Sequence, residues 1–479
     1  MLCENFKYPK LLKFFEEISA IPRESYHEEK IVEYLVEFAK ARGLEYYTDD
    51  AKNILINIPA TAGYEDKAPI LLQGHTDMVC EKNIGCEHDF STDGLDLFLE
   101  DGYIGARGTT LGADDGIAVA AMLALLDGEI EKHPACQCLF TSAEEVGLDG
   151  AKAFDYSRIF ARKMINMDGA EEDLLIVGCA GGIRSDCFFD IELTEPKNSK
   201  SLTVMIGGLM GGHSGENIHN GRANANKLCG RLLALLSEKA GIEVASINGG
   251  SKENAIPREN VMQITANDVE LVKKIVADFA AEVSLGLCPE DRGFKISVVE
   301  SDKSCDRVFT SEFTSRILSF VNGIENGVLK MSDKIEGLVE YSRNLGIIAM
   351  EGDKLGIYLS SRSALEEQID DSRDVIEALA AQNGGVTHHH NRYPGWNVMG
   401  ESRLADSFVE SAKTLCGINV KKKALHAGLE CGIVKKALPD VEIVACGPNV
   451  HDLHSPKERL EVASFERFFT IVKDVIENK

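Results

Sequence analysis

The first 170 residues alternate short apolar runs with segments of helical spacing, and this alternation is the strongest constraint on the fold. The strand-like runs include NILINIPA, PILLQGHTD, CQCLFTSAEE and KMINMD, and GADDGIAVAAMLALLDG has apolar residues at helical spacing. Strands that alternate with helices are typical of α/β domains with a parallel or mixed sheet. We therefore predict an α/β domain with a mixed sheet in this part of the chain.

The pattern changes after about residue 187. KSLTVMIGG begins a segment with predicted helices at 223–239 and 269–283 and a strand in GFKISVVES, and a second round includes RILSFVNGI and KLGIYLSSRSA. Two rounds of strand, helix and strand predict an α+β domain. We predict that residues 188–384 are inserted into a domain formed by residues 1–187 and 385–479, with AQNGGVTHHHNRYPGW as the connection back.

The net charge of the chain indicates which kinds of molecule it can bind. The chain has 51 Lys and Arg against 77 Asp and Glu, a net charge of −26. Such a surface repels nucleic acid and anionic membranes but is compatible with cations and with small substrates that carry an amino group. No apolar run approaches a membrane span and the N-terminus lacks the pattern of a secretory signal. We expect a cytoplasmic protein whose 13 cysteines are reduced thiols.

Polar residues interrupt the apolar pattern at five places, most of them where a predicted strand ends. In an open α/β sheet, ligands bind beyond the carboxyl ends of the strands. Side chains two residues apart on a strand share a face. The five places are GHTD (His75, Asp77), LGADDG (Asp114, Asp115), TSAEEVG (Glu144, Glu145), INMDG (Asp168) and HDLHSPKE (His451, His454).

Each place also has a simpler interpretation. Asp114 fits a helix N-cap, the paired glutamates fit surface charge, and a histidine in HSP fits a hydrogen-bonded loop. Carboxylates crowded into one crevice repel each other unless cations neutralise them, so five coincident placements favour a metal site. Imidazole and carboxylate without thiolates suit catalytic zinc, or cobalt or manganese. A pair of ions needs a carboxylate that bridges them and a base that deprotonates the water between them. Asp77 is placed to orient the imidazole of His75.

The motifs H-x-D, G-A-D-D-G, S-A-E-E-x-G, N-x-D-G and H-S-P-K-E resemble those of the co-catalytic zinc peptidases of the aminopeptidase and carboxypeptidase G type. The resemblance covers essentially the whole chain. It implies a metallopeptidase-type catalytic domain with an inserted lid, two divalent ions, and hydrolysis of dipeptides, either Xaa-His or of broad specificity. It also suggests a homodimer.

The resemblance also implies a role for each motif residue. Glu144 is the implied general base toward a metal-bridged water, and Asp77 steadies His75. The choice of Asp114 over Asp115 as the bridge depends on the alignment to G-A-D, and Asp115 stands where relatives often carry Asn or Met. The implied ligands are His75 and Asp168 for one ion, Glu145 and His454 for the other, and Asp114 shared between them.

The inserted domain carries further candidates. In IGGLMGGHSGENIHNGRANA, nucleotide binding is disfavoured because G-x-G-x-x-G is absent and the acidic sites would repel phosphate. The resemblance implies that His213 stabilises an oxyanion, with a structural loop histidine as the alternative. Asn254 is a candidate polar contact to the substrate. Arg362, at the end of an apolar strand, matches the family residue that binds the substrate carboxylate; a surface salt bridge is the alternative.

The sequence does not decide the roles of the three successive histidines at 388–390 and of Glu430. His388, His389 and His390 could hold a metal, but a solvated interdomain loop is the favoured interpretation. Glu430, in HAGLECG, is predicted to line the catalytic cleft and could meet a substrate amino group. Two alternative functions also stay open: an N-acyl-amino-acid deacylase, and an inactive protein that binds metal or peptide.

Overall fold

The computed structural model describes residues 2, 5–301, 305–333, 335, 337–397 and 402–478. These residues divide into two units. Unit 1 consists of the described residues of 1–179, 398–424 and 429–479, and unit 2 consists of 180–397 and 425–428. No helix within the described ranges is long and apolar enough to cross a membrane.

The first part of unit 1 contains four helices and eight strands among its described residues. The helices are α1 (Pro9–Ser19), α2 (Glu29–Ala41), α3 (Ala113–Leu126) and α4 (Asp149–Ala153). The strands are β1 (Glu45–Thr48), β2 (Ile54–Ile58), β3 (Ile70–His75), β4 (Leu97–Glu100), β5 (Tyr103–Ala106), β6 (Cys136–Thr141), β7 (Lys163–Asn166) and β8 (Leu174–Cys179).

Unit 2 follows along the chain. Its helices are α5 (Ala225–Ala240), α6 (Val269–Ser284), α7 (Ser311–Gly323) and α8 (Glu366–Gln382). Its strands are β9 (Gly181–Asp190), β10 (Leu193–Thr194), β11 (Lys200–Gly207), β12 (Gly212–His213), β13 (Glu243–Gly249), β14 (Ala255–Ile256), β15 (Asn260–Ala266), β16 (Lys295–Glu300), β17 (Val308–Phe309), β18 (Gly327–Met331), β19 (Val339–Glu351), β20 (Lys354–Ser363) and β21 (Val386–Tyr393).

The chain then completes unit 1. The remaining elements are α9 (Arg403–Cys416), β22 (Lys421–Leu425), α10 (Glu430–Ala437), β23 (Glu442–Ala445), β24 (Val450–His451), β25 (Arg459–Glu461) and α11 (Val462–Asn478).

The main sheet of unit 1 has the strand order β1-β2-β6-β3-β7-β23-β8-β22. Its central strands β6, β3, β7 and β23 run parallel, whereas β1, β2 and β8 pair antiparallel with their neighbours. This mixed sheet with packed helices confirms the predicted fold class. Because the central strands are parallel, their carboxyl ends meet at one edge of the sheet.

Helix α3 packs against the centre of this sheet. Its residues from Gly116 to Leu126 are all buried, which explains why its sequence is apolar on every side. The close approach needs a glycine in β3, because a Cβ at Gly74 would lie 2.2 Å from the Cβ of Ala118 and 2.4 Å from Asp115 Oδ2. The helix start is thereby held beside the end of β3.

Unit 2 is built on a second sheet with the order β16-β11-β15-β13-β19-β20-β9-β21, and β18 pairs with β19. Its edge strand β21 pairs with β9, along residues 386–393 and 182–188. The boundaries predicted at 188 and 384 therefore fall inside unit 2, because both strands belong to its sheet.

The predicted interdomain loop at His388–His390 is wrong for the same reason. These residues lie in β21, where they pair with Asp186, Ser185 and Arg184. His389 Nδ1 is 2.9 Å from Ser185 Oγ, and His390 Nε2 is 3.1 Å from Asp186 Oδ1. The sheet ladder satisfies the backbone of this polar segment, which its composition had suggested to be a loop.

Candidate metal centre and substrate-binding residues

The polar motifs of unit 1 converge at the carboxyl edge of its parallel strands. His75 ends β3, Glu144 follows β6, and Asp168 follows β7. His454 comes from the turn between β24 and β25, which pair with each other. His451, singled out in the same motif, packs instead against the ring of Tyr103, with ring centroids 5.8 Å apart.

Asp114 lies between the two histidines of the cluster. Its Oδ1 is 3.0 Å from His75 Nε2, and its Oδ2 is 3.2 Å from His454 Nε2. One carboxylate thus presents one oxygen to each imidazole. This is the geometry that a ligand shared by two ions needs.

Each histidine also has a second carboxylate beside it. His75 Nε2 is 3.9 Å from Asp168 Oδ1, and His454 Nε2 is 3.0 Å from Glu145 Oε1. The ligand atoms of His75, Asp114 and Glu145 lie within 4.8 Å of one another, a spacing that can hold an ion. The structure therefore brings the five predicted ligands close together, and the division of these ligands between two ions stays a prediction.

Asp115 has a different place from Asp114, although the two are joined by a cis peptide bond. Asp115 is fully buried, and its Oδ2 accepts from the backbone N–H of His75 at 3.2 Å while its Oδ1 accepts from the N–H of Ala118 at 3.3 Å. Asp115 also forms a second group with His75 and Asp168, whose ligand atoms lie within 4.8 Å of one another. Both Asp115 oxygens accept backbone bonds, whereas those of Asp114 lie beside the two histidines, and Asp114 stays the predicted shared ligand. The helix-capping bond considered for Asp114 is made by Asp115.

Asp77 contacts three parts of the site. Its Oδ1 is 3.3 Å from His75 Nδ1 and accepts from the backbone N–H of Glu144 at 3.1 Å. Its Oδ2 accepts from Ser25 Oγ at 2.7 Å and from the N–H of Glu145 at 3.2 Å. The fully buried carboxylate thus orients the imidazole and also fixes the backbone of both glutamates.

The charges of the cluster are strongly perturbed. Burial, and then the nearby carboxylates, raise the pKa values of Glu144 and Asp168 well above their usual range. Hydrogen bonds to Asp114 and Glu145 raise the pKa of His454 to about 10. Burial opposes the charged form of His75, but its bonds to Asp114 and Asp77 still raise its pKa.

The backbone at two of these positions has positive φ. Ala143, before Glu144, has φ 48°, and His454 has φ 57°. Non-glycine residues rarely adopt this conformation, which costs about 1–3 kcal/mol and is concentrated at functional sites. It directs Glu144 and His454 to the cluster. Oxygen and imidazole donors in two groups with a shared carboxylate fit a pair of divalent ions.

A buried polar network lies beneath the ligands, and little in the sequence pattern indicates it. Glu430 Oε2 accepts from Thr141 Oγ1 at 2.7 Å and from the amide of Gln73. Gln73 Oε1 in turn accepts from Asn166 Nδ2 at 2.7 Å. Glu430 is fully buried, and its contact with a substrate amino group stays a prediction. The one available signal was a polar residue in each of three apolar strands, two or three positions before a site residue.

His213 lies in unit 2 with a defined tautomer. Its Nδ1 accepts from the backbone N–H of Glu216 at 3.2 Å, and burial followed by the charge of Arg362 lowers the pKa of the ring to about 4. The ring is therefore neutral at pH 7 with its proton on Nε2. Nε2–H is a hydrogen-bond donor, as the predicted oxyanion contact requires.

Arg362 is 7% exposed at the end of β20. One guanidinium nitrogen donates to Tyr393 Oη at 2.8 Å, whereas its buried Nε has no partner among the described protein atoms. The surface salt bridge considered as its alternative is not among the ion pairs of the described residues. Asn254 lies near His213, because its carbonyl accepts from Ser214 N–H at 2.8 Å and His213 pairs with Ala255.

Comparison with known proteins assigns this chain to a class. Residues 71–478 match the model of peptidase family M20/M25/M40. The chain is 34% identical over 472 residues to the cytosol non-specific dipeptidase of Escherichia coli K12, covering 97% of this chain and 96% of that protein. The chain therefore belongs to peptidase family M20/M25/M40, and the resemblance drawn from its motifs is confirmed.

Solved structures give the same fold. The aminoacylhistidine dipeptidase from Vibrio alginolyticus superimposes with a TM-score of 0.86 and 32% identity, covering 99% of this chain and 98% of that one. Aminopeptidase PepT from Bacillus cereus has a TM-score of 0.57 at 16% identity, with 98% of each chain covered, and shows likeness of fold alone.

Proposed function

We propose that this peptidase is a metal-dependent dipeptidase. The observation that carries the proposal is the Asp114 carboxylate, whose two oxygens lie 3.0 and 3.2 Å from the imidazoles of His75 and His454. The similarity to two dipeptidases over nearly the whole chain supports the choice of dipeptides as substrates.

Five residues are the proposed metal ligands. His75 and Asp168 would hold one divalent ion, Glu145 and His454 the other, and Asp114 both. When bound, such ions polarise a carbonyl and make a water molecule nucleophilic near neutral pH.

Glu144 is proposed as the general base. Its backbone is fixed by Asp77, and burial raises its pKa, which brings a carboxylate closer to the range useful for proton transfer at neutral pH. It accepts a proton from water and passes it to the leaving amine.

Unit 2 is proposed to act as the substrate-clamping lid. His213 Nε2–H is a neutral donor suited to a developing oxyanion, and Arg362 has donors available for a planar carboxylate. Asn254 is proposed as a further polar contact. A free carboxylate contact at Arg362 would select short peptides by their C-terminal end.

A substrate panel tests the function. Metal-free protein prepared with a chelator should be inactive, and zinc, cobalt or manganese should restore hydrolysis of free dipeptides. N-acyl-amino acids should be poor substrates. Faster cleavage of the N-acyl-amino acids than of the free dipeptides would instead identify a deacylase. No turnover of either substrate at full metal occupancy would identify an inactive binding protein.

Arg362→Ala in the same panel tests the substrate-binding proposal. Loss of a charged contact in a desolvated site costs about 2–5 kcal/mol, so kcat/KM for a free dipeptide should fall roughly 30-fold or more. The matched dipeptide amide lacks the charge and should be much less affected. Equal losses for the two substrates would assign Arg362 to the structure of unit 2.

Three further proposals depend on family expectation. Zinc is the expected metal, a homodimer the expected assembly and the cytoplasm the expected compartment. Metal analysis of the protein as purified, its mass in solution, and cell fractionation test them in turn.

A further inference from the structure

Glu458, the last residue of the H-S-P-K-E motif, contacts the backbone that carries Asp114. Glu458 is 4% exposed, and its Oε2 accepts from the N–H groups of Leu111 and Gly112 at 2.9 and 3.0 Å. Its Oε1 accepts from the N–H of Ala113 at 2.9 Å and of Asp114 at 3.4 Å. A single carboxylate thus holds four successive backbone N–H groups, and it lies four residues after His454.

Arg23 contacts the carbonyl side of the same segment. It is 2% exposed, and one guanidinium nitrogen donates to Gly112 O while another donates to the carbonyls of Thr76 and Asp77, both at 3.1 Å. These two carbonyls come directly after His75. Arg23 therefore ties the end of β3 to the segment that Glu458 holds.

The contacts of Arg23 and Glu458 do not involve the ligand side chains. The two side chains bind backbone atoms only. In this way they join the three segments that carry His75, Asp114 and His454. Glu458 and Arg23 also attract each other electrostatically. The arrangement requires a glycine at position 112, because a Cβ at Gly112 would lie 2.5 Å from an Arg23 nitrogen.

We propose that Arg23 and Glu458 are a pair of positioning residues that hold Asp114 at the distance from His75 and His454 needed to share two ions. The inference rests on the proposed two-metal function but concerns residues that touch neither metal nor substrate. Hydrogen-bonding partners of metal ligands typically alter metal affinity or activity 10–100-fold when they are lost.

Glu458→Gln is the first test, because it keeps the shape of the side chain but places an NH₂ group against two of the four N–H donors. We expect competition with a chelator to show metal affinity lowered about 10–100-fold, and the visible spectrum of the cobalt-substituted protein to change. The matched control is Glu243→Gln in unit 2, which removes a carboxylate that also accepts from two successive backbone N–H groups, those of Lys197 and Asn198. Its metal affinity and cobalt spectrum should equal those of the wild type.

Arg23→Lys keeps the charge but cannot reach all three carbonyls, and it provides a second variant should Glu458→Gln not fold. It should lower metal affinity in the same way, and the double variant should lose less than the sum of the single losses because both residues hold one segment. Wild-type metal affinity and cobalt spectrum in a folded variant, or additive losses, would overturn the proposal. Tight two-metal binding by a wild type that cleaves no dipeptide would instead reject the proposed function alone.

Discussion

Glu144 is the residue on which the proposed chemistry depends, and it can be separated from its neighbour. Glu144→Ala should leave both ions bound, because Glu145 and not Glu144 contacts His454, while lowering kcat by about 10²–10⁴. Glu145→Ala is the matched comparison and should lose an ion. The measurements are metal stoichiometry and turnover on the same samples, and near-wild-type turnover of Glu144→Ala would remove this residue from the mechanism.

At the residue scale, the sequence predicted side chains better than it predicted their surroundings. His75, Asp114 and Glu145 were identified because each polar residue follows an apolar run at a strand or helix boundary. Arg23 and Glu458 were not, because they act on backbone atoms more than 50 residues away in sequence. Spacing along the chain carries no signal of such contacts.

At the scale of elements, the segment of residues 425–428 shows a pH-sensitive contact within unit 2. His426 is 8% exposed, and its Nε2 is 2.7 Å from Ser342 Oγ. Burial, followed by the charge of Arg362, lowers the pKa of His426 to about 3 from a usual 6.5. Below pH 6.5 the unfolded chain therefore gains a proton that the folded ring does not.

Stability should accordingly fall as the pH drops from 6.5 toward 3. At pH 5 the contribution of His426 is about 1–2 kcal/mol at 1.36 kcal/mol per pH unit. We expect His426→Gln to flatten the dependence of the unfolding free energy between pH 7.5 and pH 5 by this amount. Denaturant unfolding at both pH values measures it, and an unchanged pH dependence in the variant would show that His426 titrates normally in the fold.

The helices and buried strands were the elements that the sequence predicted well. The predicted helix at 269–283 is α6 (Val269–Ser284), since its apolar spacing and Asp268 cap are local signals. Strand β21 was missed because its three histidines are ordinary loop residues by composition. Only the pairing of β21 with β9, nearly 200 residues earlier, makes it a strand and moves the boundary of unit 2.

At the scale of the whole molecule, the net charge of −26 should act on substrates before they bind. A negative surface attracts cationic dipeptides and repels anionic ones, and salt screens both effects over about 10 Å at 0.1 M. Raising NaCl from about 10 to about 500 mM should lower kcat/KM for a cationic dipeptide a few-fold and raise it for an anionic one. A neutral dipeptide is the control, and changes of equal sign for all three would point to an effect of salt on the enzyme itself.

The position of β23 has a consequence for the order of events during synthesis. This strand, Glu442–Ala445, lies between β7 and β8 in the middle of the unit 1 sheet, and His454 and Glu458 come still later. A ribosome must therefore make more than 450 residues before the cluster has all of its members. Until this late segment has been made, the nascent chain has no assembled cluster, and peptide cleavage begins only when the segment of His454 and Glu458 joins the earlier ones.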